Sequence, residues 1–134
     1  MKAEELMIGD WVQLNGSPYV IEEISKKGWV HMTDPVHNLR VQMSTDYILD
    51  FIEGIPLTVE ILESNGFEKK GHRYGIYDDY FDFEMYEYND GTWLVSYHCC
   101  EMSLPDEQVL IFHVHQLQHF MRHCGIDKVL KLEP

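Results

Sequence analysis

The chain has 134 residues, of which 45% are apolar, and carries 23 acids against 10 lysines and arginines for a formal net charge of −13. That length suits one domain or two very small lobes, and the apolar share excludes a disordered chain. The negative field repels phosphate backbones and anionic lipid, so nucleic acid and membrane are excluded as expected partners, while basic protein surfaces and cations stay open.

No apolar run reaches about 18 residues, so no transmembrane helix is expected. The opening MKAEELMIGDW has acids where a signal peptide carries its apolar core. The cysteines are Cys99, Cys100 and Cys124, an odd number with no CxxC spacing. They read as reduced thiols, and the expected location is cytoplasmic.

Residues 1–53 read as short strands joined by tight turns. Trp11, Val12 and Leu14 precede the turn dipeptide Asn15-Gly16, and PYVIEEIS follows it. Lys27-Gly28 makes a second turn, Trp29 to Met32 a third strand, and Asp34-Pro35 a break. LRVQM then places Leu39, Val41 and Met43 on one face. Four β segments at this spacing predict a small SH3-like barrel. TDYILDFIE leads out as a short strand or a single helical turn.

Gly54-Ile55-Pro56 marks the boundary to a second lobe, residues 54–134, unless the two lobes are fused in one domain. Thr58 is placed to cap a helix over about residues 58–64, with Leu57 and Leu62 as a hydrophobic staple and Asn65-Gly66 as the stop. Residues 67–98 read as an antiparallel meander: HRYGIY, a turn at Asp78-Asp79, YFDFEMYEY, a turn at Asn89-Asp90-Gly91, and TWLVSYHC. In the middle strand Phe81, Phe83 and Met85 share one face, and Asp82, Glu84 and Tyr86 the other. Residues 108–113 fit a strand or a helix. A helix from about Val114 to Cys124 should follow, with Val114, Leu117, Phe120, Met121 and Cys124 in one apolar arc packed on the sheet. IDKVLKL would add a last strand. The expected class is therefore α+β.

Two constellations could carry function. His115, His119 and His123 stand four apart and would form a column on the polar side of that last helix. Imidazole is the usual side-chain ligand of zinc and related divalent transition metals, but HExxH is absent and Gln116 and Gln118 are poor ligands. The second constellation is an acidic, tyrosine-rich sheet face: Asp78, Asp79, Tyr80, Asp82, Glu84, Tyr86 and Tyr88, with Glu87 and Asp90 nearby. Tyrosine offers large contact area with a polar tip, and the acids would attract a basic partner. A Cys/His nucleophile pair using Cys100 or Cys124 with a nearby histidine is a further alternative. No phosphate-binding glycine loop, serine elbow or zinc-ribbon spacing occurs.

MIGDWVQLNGSPYVIEEI, IPLTVEILESNGFEK and VHQLQHFMRHCGI resemble segments of small uncharacterised proteins of Bacteroides-type gut bacteria and of their phages and mobile elements. In those proteins the late segment resembles VHxLQ, matched here by His115, Leu117 and Gln118, while His119 and His123 fall outside the pattern. The resemblance implies a cytoplasmic accessory role in a mobile element and carries over no catalytic residue. The expectation is a non-enzymatic protein-interaction module for a basic partner, with a metal-binding protein or small metalloenzyme as the alternative.

Overall fold

The computed structural model describes residues 5–89, 91–99 and 107–132. The fold is α+β, with two five-stranded antiparallel sheets and three helices among the described residues. One compact unit runs to Ile55, and the other spans Pro56–Lys131.

The first unit contains β1 (Trp11–Leu14), β2 (Ser17–Ile24), β3 (Trp29–Asp34), β4 (Leu39–Ser44), α1 (Thr45–Ile48) and β5 (Ile52–Gly54), in the sheet order β4-β3-β2-β1-β5. The turns follow from local chemistry. Asn15 (φ 52°) and Gly16 (φ 80°) both take the left-handed conformation that a two-residue hairpin demands, and Leu14 pairs with Ser17 across them. In the β3–β4 turn the buried Asp34 carboxylate accepts from the Val36 and His37 amides at 2.9 and 3.3 Å and meets His37 Nδ1 at 2.7 Å. Alternate residues point inward, so Tyr19, Ile21, Val30 and Met32 join Val12, Ile48 and Ile52 in the core, with Val41 and Met43 packed against them. Leu39 shares that face in register but is exposed at the strand end. Residues 45–54 form both a helical turn and a strand. Among the described residues the edge strands β4 and β5 pair only with β3 and β1, so the sheet is open and not the closed barrel expected from strand spacing.

The second unit contains α2 (Val59–Ser64), β6 (Glu68–Lys70), β7 (Arg73–Tyr77), β8 (Phe81–Asn89), β9 (Thr92–Cys99), β10 (Glu107–Ile111) and α3 (Val114–His123), with sheet order β10-β9-β8-β7-β6. Thr58 caps α2, its Oγ1 accepting from Ile61 N at 3.3 Å, and Gly66 (φ 79°) follows the C-cap Asn65. Buried Leu57 anchors this region: its N–H donates to Phe112 O at 3.0 Å and its carbonyl accepts from Trp93 Nε1 at 3.1 Å. The inner sheet face carries Tyr74, Phe83, Met85, Trp93, Val95 and Ile111, all buried. α3 lies over it, with Val114, Leu117 and Met121 buried and Phe120 5.9 Å from Phe83. Each such side chain adds about 1.5–3 kcal/mol by leaving water.

Three expectations change here. β6 has no apolar alternation, because all three of its residues are exposed, and only its pairing with β7 makes it a strand. Residues 108–113 divide, with strand to Ile111 and then His113 as the N-cap of α3. IDKVLKL forms no strand. Instead Asn65 holds it, donating from Nδ2 to Lys131 O at 2.9 Å and accepting from Lys131 N at 2.7 Å, while Leu130 is buried.

Candidate functional site: an acidic, aromatic sheet face

Alternation along β8 places Asp82, Glu84 and Tyr86 on the face away from α3, and exposed Tyr88 lies at the register shift between Glu87 and Asn89. Tyr77 and His98 flank Asp82 in register, Gly75 and Ser96 flank Glu84, and Leu94 stands opposite Tyr86. Asp78, Asp79 and Tyr80 form the exposed β7–β8 turn, where Asp78 Oδ1 accepts from Tyr80 N at 3.1 Å. Tyr80 and Tyr88 are 59% and 63% exposed, so each presents most of a ring to solvent. Tyr74 and Tyr97 belong to the other face: Tyr74 is buried, and Tyr97 packs 5.7 Å from Phe81. Asp90 lies outside the described residues.

The face is not uniformly acidic. Glu84 is bridged to Arg73 Nη1 at 2.8 Å, and the Glu84 carboxylate raises the guanidinium above its ordinary pKa. Arg73 also stands 5.8 Å from the Tyr86 ring, and Lys70 Nζ sits 3.7 Å above the Tyr77 ring. Burial, followed by the nearby Glu84, Glu68 and Asp82, pushes the Tyr77 phenol up and keeps it neutral. The acids concentrate at the β7–β8 turn, while the β6–β7 hairpin contributes Lys70 and Arg73. The basic hairpin is legible in the run KKGHR, but its meeting with Glu84 and the tyrosines depends on strand register.

The histidines do not form one solvated column. His115 is only 3% exposed, His119 is half-buried, and His123 is exposed with Nε2 3.1 Å from Glu107 Oε2. The buried arc of α3 is rotated from the expected one: it takes in His115 and Gln118 and leaves Phe120 and Cys124 half-buried. His115 lies between His113, stacked at 5.6 Å, and His119, edge-on at 5.7 Å, and its Nδ1 has no hydrogen-bond partner. Burial, then the two neighbouring histidines, lowers its pKa to about 4. Among the described residues no group of three His, Cys, Asp or Glu is arranged to hold a metal ion. Gln116, expected as a bystander, caps the helix: its Oε1 accepts from Phe112 N at 2.8 Å and His113 N at 3.0 Å.

Cys99 and Cys124 are free and half-buried. Burial and then Glu107 push the Cys124 thiol up to about 11, which holds it protonated and a poor nucleophile. Cys100 lies outside the described residues. No described helix is long and apolar enough to cross a membrane. Compared with known proteins, the chain matches no family model, no curated sequence and no solved structure at a significant level.

Proposed function

We propose that this chain is a non-enzymatic protein-interaction module that binds a basic partner through the outer face of its second sheet. The observation that carries this reading is the largely exposed Tyr80 ring set beside exposed Asp78, Asp79 and half-exposed Asp82, with a second exposed ring, Tyr88, near the other end of β8. Aromatic rings with polar tips supply the contact area, and the acids supply attraction and orientation. Because Arg73 neutralises Glu84, the docking charge lies at the β7–β8 turn rather than at the sheet centre. We read the first unit as an opened SH3-like sheet, supported by its strand order and the helical turn ahead of β5. The resemblance noted above supports a cytoplasmic accessory role in a mobile element or phage.

The test is affinity capture with the parent chain and with an Asp78→Lys/Asp79→Lys/Asp82→Lys variant, each with and without chelator. A basic partner held by the parent, lost with the reversals and indifferent to chelator, supports the proposal. Capture that survives the reversals sinks it. Loss under chelator, together with a stoichiometric zinc that disappears in His119→Ala by native mass spectrometry, would move the function to the histidines of α3.

A further inference from the structure

At the end of the second sheet where β6 turns into β7, a cavity of about 290 Å³ opens beside the tip residue Gly71. Its walls are Val59, Tyr74 and Trp93, and its charged groups are Lys69, Glu87 and the His72 imidazole. The aromatic walls are rigid. Trp93 is fixed by its bond to Leu57 O, and Tyr74 meets it edge-on at 6.2 Å with the ring planes 70° apart. Glu87 stands opposite Trp93 in the β8–β9 register, while Lys69 comes from the other side of the cavity, on β6, its Nζ 5.9 Å from the Tyr74 ring.

We propose that this cavity binds a small zwitterion: a free α-amino acid with an apolar side chain. Lys69 and His72 take its carboxylate, Glu87 takes its ammonium, and the side chain rests chiefly against half-buried Val59, at the edges of the buried Tyr74 and Trp93 rings. Three observations converge on this class. First, two opposite charges line one small cavity, yet among the described residues no ion pair joins Lys69 to Glu87, so a ligand bearing both charges satisfies both. Second, the net charge of −13 disfavours a free anion, a penalty that a net-neutral zwitterion escapes. Third, the volume lies at the small end for ligand sites, which suits an amino acid. The site lies on the inner side of the sheet and is independent of the proposed protein-docking face.

The probes are L-leucine and L-phenylalanine, each also as the N-acetyl and the amide derivative, titrated into the whole chain and followed by the Trp93 indole and backbone amide resonances. The free amino acids are expected to give saturable shifts at Trp93 below about 10 mM, a range open to ligands of this size. Removing either charge of the ligand should weaken binding by about tenfold, equivalent to about 1.4 kcal/mol. Glu87→Gln should erase the preference for the free over the N-acetyl form, and Lys69→Met the preference over the amide. Both side chains are exposed, and the dispersion of the spectrum reports that each variant is folded. The proposal is overturned if no saturable shift occurs in that range, if the blocked forms bind as well as the free ones, or if neither substitution changes affinity.

Discussion

An imidazole with only 3% of its surface exposed and one ring nitrogen unpartnered is stable in the fold only while neutral. In the unfolded chain His115 titrates near 6.5, and in the fold near 4, chiefly because of burial. The folded pKa of this base is depressed, so the unfolded state binds the extra proton first as pH falls. The stabilising contribution is full above about 6.5, declines through the window between 6.5 and 4, and levels off below it. Between pH 7 and pH 5 the loss attributable to this residue is roughly 2 kcal/mol. His115→Leu is therefore expected to flatten the acid limb of stability by about that amount, read from urea midpoints at the two pH values. Equal acid slopes in the two chains would show that the ring is already charged or solvated at pH 7. The histidine spacing reveals a shared helix side. Which imidazole faces inward depends on how α3 is rotated on its sheet, and that follows from the sum of its contacts.

The β7–β8 pair leaves no room for a side chain at Gly75. A Cβ at Gly75 would lie 2.5 Å from Phe83 O and 2.9 Å from the Tyr77 ring, so backbone as well as side chain would have to move. Gly75→Ala is expected to destabilise the second unit by about 1–3 kcal/mol, seen as a lower urea midpoint with an unchanged m-value. A midpoint equal to the parent's would mean that the β8 backbone at Phe83 and the Tyr77 ring both give way without loss. α2 shows the opposite situation. Its Thr58 cap and its Asn65-Gly66 stop act within a few residues of one another, and both are legible in sequence. β6 is not legible in sequence because a polar edge strand has no alternation of its own, and the tail reads as a strand because Val129 and Leu130 suit one, whereas the Asn65 side chain holds the backbone at Lys131.

For the whole molecule, the charge of −13 acts on stability and on binding with opposite signs. Self-repulsion weakens the compact state, so raising salt from about 0.01 M to about 1 M, which cuts the screening length from about 30 Å to about 3 Å, should raise Tm by a few degrees. The same salt should weaken capture of a basic partner. Scanning fluorimetry and capture run in matched buffers test both signs together. A Tm that falls with salt would mean that attractive pairs such as Arg73–Glu84 and Arg40–Glu22 outweigh the net repulsion.

Turns, caps and alternation are encoded locally. Asn15-Gly16 bends the chain because few other residues tolerate its dihedrals, Thr58 caps because its hydroxyl reaches the next turn, and Phe83 and Met85 share a face because a strand repeats every two residues. These features are plain in the order of the amino acids, and they suffice for an α+β chain with a meander and a final amphipathic helix. The open first sheet, the inward turn of His115, the neutralisation of Glu84 by Arg73 and the gathering of Lys69, Tyr74, Glu87 and Trp93 around one cavity are not. Each depends on residues that meet only once strands pair in one register and a helix settles at one rotation, and those choices are made by the packing of the whole unit rather than by any short stretch of chain.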